Sequence, residues 1–195
     1  MVGSYLLKFF SREGHRITRI VRRPAFPVVS EGVIPWDIEN GRMDLESLEG
    51  QDVVIHLAGA NIAGRRWSPE YKRLIRESRI KGTQLLCRNL MRLKQPPKML
   101  LSASAVGYYG NRSPSEILNE SSSKGEGFLS DVCEQWEKAA QEIVDPQRHG
   151  HHFVDVFRRG QAEGGDVFLG HQRPRAAVAL VIKLDDRARQ RGAFG

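Results

Sequence analysis

The segment from Gln51 to Asn61 constrains this chain more than any other. Asp52 leads into Val53, Val54 and Ile55, followed by His56 and Leu57, and the run ends on Ala58, Gly59 and Ala60. A continuous β-branched stretch with no polar alternation suits a strand buried on both faces, as in a parallel sheet. Small residues at its carboxyl end let a ligand lie against the backbone, and open α/β sheets bind nucleotides at that edge. The plainer reading of the same residues is a core strand followed by a turn.

A chain of 195 residues is one domain, or one domain with an appendage, and is long enough to build a core. No stretch approaches the roughly 18 consecutive apolar residues of a membrane-spanning helix. The first residues lack the basic and apolar regions of a secretory signal. Cys87 and Cys133 fall in helical segments without metal-ligand spacing, so buried thiols in a reducing, cytoplasmic setting are expected. The formal charge of +7 is concentrated toward the end of the chain, where four of the six histidines also lie. It is not arranged as an aromatic-interleaved basic stripe, so no nucleic-acid partner is expected.

Helices and strands are expected to alternate along residues 3–144. Gly3 to Glu13 predicts a helix with Tyr5, Leu6, Leu7, Phe9 and Phe10 as its apolar stripe, ended by Gly14. Ile17 to Val21 predicts a strand, Val33 to Trp36 a short extended piece, and Asp44 to Leu48 a turn. Ser68-Pro69-Glu70 is a helix start, with a hydroxyl cap, proline in the first turn and an early acid. That helix should run to about Leu93, with Gly82 as the candidate break. Met99 to Ser104 follows as a strand, Gly107 to Gly110 as a loop, and Glu126 to Val144 as an amphipathic helix. The pattern predicts βα units and a parallel sheet.

Six blocks occur in order along the chain: Gly-His-Arg-Ile-Thr-Arg-Ile-Val-Arg-Arg-Pro, Ile-His-Leu-Ala-Gly-Ala-Asn-Ile, Arg-Arg-Trp-Ser, Glu-Ser-Arg-Ile-Lys-Gly-Thr, Ser-Ala-Ser-Ala-Val-Gly-Tyr-Tyr-Gly and Trp-Glu-Lys-Ala-Ala. Together they resemble the atypical short-chain dehydrogenase/reductase family, also described as NAD-dependent epimerase/dehydratase or sugar-nucleotide epimerase. The resemblance implies a Rossmann-type doubly wound parallel sheet over residues 1–146. Such proteins open with a strand and a glycine-rich turn, of which only Gly3 has a counterpart here, so the pattern is expected to be shortened at both ends. Residues 147–195 depart from it and are expected to form a basic tail, disordered or of aberrant origin. Ala176 to Ile182 is the one patterned stretch there.

The resemblance also implies site residues. Arg22 ends the second strand of the family pattern, where NAD-binding relatives place an acid on the ribose hydroxyl. A cation there, helped by Arg23, suits the 2′-phosphate of NADP; its alternative is a solvated basic turn. Leu57, Ala58 and Arg79 match cofactor-contact positions, with Gly3 and Gly59 beside the same cofactor. Taken alone, Arg79 is a surface charge paired with a helix neighbour. Ser104 and Tyr109 are the candidate catalytic contacts, after the strand that also carries Ser102. The Tyr-x-x-x-Lys pair of short-chain dehydrogenases is missing: its places fall on Val132 or Cys133 and on Trp136 or Glu137.

His56 is expected to be a hydrogen-bonded core residue, and Trp36 and Trp67 packing residues. His149, His151 and His152 offer no zinc spacing within an ordered pattern. The sequence thus predicts an NADP(H)-binding protein acting on a small or sugar-nucleotide substrate. A non-catalytic nucleotide-binding module, or an inactive truncated product, is the alternative.

Overall fold

The computed structural model describes residues 2–22, 32–141, 153–157 and 177–183. In chain order the elements are α1 (Val2–Arg12), β1 (Arg16–Arg22), β2 (Val33–Asp37), β3 (Arg42–Met43), β4 (Val53–His56), α2 (Pro69–Met91), β5 (Met99–Ala103), α3 (Phe128–Gln141), β6 (Phe153–Phe157) and β7 (Ala177–Lys183), with short 3-10 turns at Glu46–Leu48 and Val106–Tyr109. The strands form one sheet in the order β3-β2-β1-β7-β4-β5-β6. β1 and β2 are parallel, as are β4 with β5 and β5 with β6.

The α/β doubly wound class expected from the sequence is the class found, with one departure. In the doubly wound order 3-2-1-4-5-6, β2, β1, β4, β5 and β6 take places 3, 2, 4, 5 and 6. The central place belongs to β7, which runs antiparallel to both β1 and β4. Physics requires that place to be filled, because the facing edges of β1 and β4 would otherwise bury unpaired backbone amides and carbonyls. The Ala-Val-Ala-Leu-Val-Ile-Lys sequence of β7 is apolar almost throughout, the composition of a central strand. Its patterned character was legible in the sequence; its central position and reversed direction were not.

Two apolar clusters lie on opposite faces of the sheet, and β4 feeds both. Val54 joins Ile20, Ile34, Trp36 and Leu100 beneath Leu86, Cys87 and Leu90 of α2. Val53 and Ile55 turn the other way, to Ile182, Leu101 and the Leu6, Leu7 and Phe10 side chains of α1. Only part of the expected α1 stripe is therefore packed: Tyr5 and Phe9 are exposed. Gly14 ends α1 in the left-handed region at φ 82°.

Helix α2 starts as predicted, with Ser68 Oγ accepting the Tyr71 amide at 3.2 Å and Pro69 in the first turn. It is unbroken at Gly82, contrary to the expected break. Gly82 is buried within the helix, and a Cβ there would make only an ordinary contact, 3.9 Å from Trp36 Cη2, so neither a break nor a tight approach marks the position. His56 is fully buried, with Nε2 2.9 Å from Thr83 Oγ1, the core histidine the sequence predicts. Trp36 is likewise fully buried, and both cysteines are buried thiols outside any disulfide. No described helix is long and apolar enough to cross a membrane.

Two stability measurements check this architecture. Ile182, 1% exposed, should cost about 2–5 kcal/mol when cut to alanine, whereas Ile117→Ala, at 91% exposure, should stay within about 0.5 kcal/mol. Equal urea midpoints for the two variants would remove β7 from the core. Thr83→Val should cost about 1–3 kcal/mol in the same assay, because it strips a buried imidazole nitrogen of its partner.

Candidate functional site

The parallel strands β1, β4 and β5 end on the same edge of the sheet, so Arg22, Leu57 and Ser104 all emerge along one rim. Helix α1 begins there as well, since a Cβ added to Gly3 would lie 3.6 Å from Leu57 Cδ1. Its first turn holds no acidic residue, so no side-chain carboxylate of that turn competes for the exposed amides and the positive end of the dipole. Leu57 packs on the α1 side of the sheet, and Ala58, 7% exposed, on the α2 side. Gly3, Leu57 and Ala58 are thus gathered at the carboxyl end of β4. Arg22 stands two strand positions away, across β7. It is half exposed, and Glu39, its ion-pair partner at 3.4 Å, is more exposed still. An exposed pair of that length contributes little and leaves the guanidinium available. Arg23, His149, His151 and His152 lie outside the described residues.

Beyond β4 the chain is pinned to α2 by a series of side chains. The Ala60 amide donates to Ser78 Oγ at 2.9 Å, and Arg79 Nη1 donates to the carbonyls of Ala60 and Ile75 at 3.1 and 3.2 Å. The Tyr71 hydroxyl donates to the Asn61 carbonyl, and Trp67 Nε1 to the Ile62 carbonyl at 2.7 Å. Arg79 also stacks on Trp136 of α3, with Cζ 5.2 Å from the ring centroid. Burial pulls its pKa below the ordinary guanidinium value, with Cys133 and Tyr71 acting in the opposite sense. Read alone as a surface charge paired along its own helix, Arg79 is corrected: it is an inward brace between α2, α3 and the loop after β4. It passes close over Gly59, where a Cβ would come within 2.9 Å of the guanidinium carbon and push the side chain aside.

At the end of β5, Ser102 is buried in register with His56, and Ser104 Oγ donates to Glu137 Oε1 at 2.5 Å. Glu137 is 7% exposed, a carboxylate among the buried positions of α3 that also include Ser130, Val132, Cys133, Trp136, Ala139 and Ala140. Sequence reasoning did not name it as a site residue. The signal was present, since position 137 continues the apolar face through Cys133 and Ala140, where a carboxylate needs a partner. Tyr109 is 4% exposed, edge-on to Tyr108 with ring centroids 5.5 Å apart. Its carbonyl accepts from Arg112 Nε at 3.0 Å. The returning loop crosses so close that a Cβ at Gly125 would lie 1.9 Å from that carbonyl oxygen, a position only glycine can fill. Ser104 and Tyr109 therefore share one loop, with Ser104 tied to α3 and Tyr109 enclosed.

Trp67, expected as packing, meets Phe128 edge-on at 5.7 Å between centroids. It packs at the surface, not in the core, being 38% exposed.

Comparison with known proteins agrees with this architecture. A family model described as NAD dependent epimerase/dehydratase family matches residues 1–128. An epimerase family protein of Mycobacterium tuberculosis, MT2273, is 39% identical over 187 residues, covering 94% of this chain and 58% of the relative. That alignment is longer than residues 1–146, so similarity continues into the following segment. The human epimerase family protein SDR39U1 is 30% identical over 173 residues, covering 87% of this chain and 54% of its own length. The chain therefore spans little more than half the length of these relatives. Among solved structures, human SDR39U1 (isoform 2) with NADPH superposes with a TM-score of 0.65 at 28% identity, over 86% of this chain and 53% of that one. A nucleoside-diphosphate sugar epimerase from Corynebacterium glutamicum gives 0.52 at 29% identity, over 78% and 36%. With the sheet order, the rim and these likenesses in agreement, the chain belongs to the NAD-dependent epimerase/dehydratase family, an atypical branch of the short-chain dehydrogenases/reductases.

Proposed function

We propose that this chain is the nucleotide-binding part of an NADP(H)-dependent enzyme acting on a small-molecule substrate, sugar nucleotides included. The observation that carries the reading is Arg22 at the carboxyl end of β1, with its guanidinium half exposed and only loosely paired. Selectivity for NAD calls for an acid in that region of a doubly wound sheet, and selectivity for the 2′-phosphate calls for a cation. The structure of a 28% identical human relative with NADPH supports the same choice.

The residues present fit a dinucleotide. Gly3 opens a helix whose first turn has no competing carboxylate, and Leu57, Ala58 and Gly59 offer a floor of small or apolar groups beside it. Gly3 and the α1 amides would face the pyrophosphate, Arg22 the 2′-phosphate, and Leu57 to Gly59 the middle of the cofactor. Arg79 would act on that contact through the loop it braces. Bound there, nicotinamide supplies hydride chemistry.

The chain's own chemistry lies at Ser104. Its hydroxyl, fixed by Glu137, is placed after β5 to hold a substrate oxygen, and the Glu137 carboxylate can take the Ser104 proton as Oγ receives one from that oxygen. This pair stands in for the absent Tyr-x-x-x-Lys. Tyr109, enclosed against Tyr108, forms the wall behind it. The missing tyrosine and lysine also favour a second reading, a module that binds NADP(H) without turnover.

On titration followed by nicotinamide fluorescence, the protein should bind NADPH saturably. Arg22→Ala should weaken NADPH by about tenfold, the worth of one charge-assisted contact, while leaving NADH unchanged. A folded sample that binds neither would end the proposal. In a screen of carbonyl substrates, Glu137→Gln should lower NADPH oxidation by about 10²-fold or more while NADPH affinity holds. Binding without turnover of any substrate by the wild type would select the sensor reading.

A further inference from the structure

Helix α2 turns three cations toward α3, and aromatic rings receive all of them. Lys72 Nζ lies 5.5 Å and Arg76 Cζ 5.7 Å from the centroid of the Phe128 ring, and Arg79 stacks on Trp136 one turn further along. The inner end of this ladder is Arg79, already committed to the loop after β4. The outer end, Lys72 and Arg76, is exposed, and Trp67 flanks it edge-on to the same Phe128 ring.

An aromatic ring positions a cation without neutralising it, unlike a carboxylate. The nearby acids are otherwise engaged: Asp131 and Glu134 pair with Lys124, Glu134 also with Lys138, and Glu77 with Lys81. Glu70 is engaged by Ser68 and by the charge of Arg73, and among the described residues Arg65, Arg66, Lys72 and Arg76 take part in no ion pair. Like charges one helical turn apart, as at Lys72 and Arg76, disfavour the helix. That arrangement has a physical rationale if an anion sits between them. The patch lies where α2 leaves the loop after β4 and α3 leaves the loop after β5, at the mouth between the two strands.

We propose that Lys72 and Arg76, seated on Phe128 and flanked by Trp67, bind the phosphate group of a small-molecule substrate. Their guanidinium and ammonium donors point a phosphate toward the rim, and the Trp67 edge gives its organic part an apolar neighbour. As a substrate site the assignment rests on the cofactor reading above; as an anion site it stands alone. Its aromatic seat, Phe128, opens α3, which packs against β6 at the far edge of the sheet, whereas Arg22 ends β1 on the other side of β4 and β5, so it is separate from the place proposed for the 2′-phosphate.

Calorimetric titration of the full chain with sodium pyrophosphate tests it, on the wild type, on Lys72→Ala/Arg76→Ala and on Phe128→Leu, with circular dichroism melts as the folding control. Pyrophosphate affinity should fall by about tenfold or more in the double variant. It should fall by less in Phe128→Leu, and NADPH affinity should stay within about twofold in both. Wild type presaturated with NADPH should still bind pyrophosphate. Unchanged pyrophosphate binding in a folded double variant, or no binding by the wild type, overturns the site. Loss of pyrophosphate binding on NADPH presaturation reassigns the anion to the cofactor and also overturns it. Failure of NADPH to bind, with pyrophosphate still lost in the double variant, sinks the cofactor reading and leaves the anion site standing.

Discussion

Double-sided burial of β4 governs this molecule. A strand with apolar side chains on both faces must have helices above and below, and its backbone must be paired along both edges. The α2 face and the α1 face supply the cover, through Val54 on one side and Val53 and Ile55 on the other. Parallel β5 supplies one edge and antiparallel β7 the other. Because β4 is fixed in this way, its carboxyl end delivers Leu57 and Ala58 to the rim at a defined point.

Rigidity at that point is reinforced by side chains rather than by further strand pairing. Ser78, Arg79, Tyr71 and Trp67 each hold a backbone group of the loop between Gly59 and Trp67. Arg79 does so while desolvated and stacked on Trp136, so the loop, α2 and α3 are coupled through one guanidinium. The same α2–α3 seam carries the buried carboxylate of Glu137 to Ser104 and the exposed cations Lys72 and Arg76 to the mouth. The rim after β4, the Ser104–Glu137 pair and the exposed cations Lys72 and Arg76 therefore share one structural support.

Much of this was legible in the residues. The helix start at Ser68, the turn at Gly14, the core role of His56 and the strand around Val53–His56 follow from local chemistry that any neighbour would respect. Gly82 misleads because glycine is read as a breaker, whereas the helix runs through it unbroken and buries it. Glu137 is missed because its meaning lies in Ser104, 33 residues away.

The order of residues alone determined the alternation of helices and strands, the two-faced burial of the central segment and the family to which the chain belongs, because periodicity and local motifs encode those directly. Tertiary structure decided that Ala177–Lys183 takes the central place in reverse direction, that Arg79 turns inward, and that Phe128 gathers Lys72 and Arg76. Each of these depends on residues distant in sequence meeting across the sheet or between helices. Such meetings are set by which backbone edges and buried charges still lack partners once the local elements have formed.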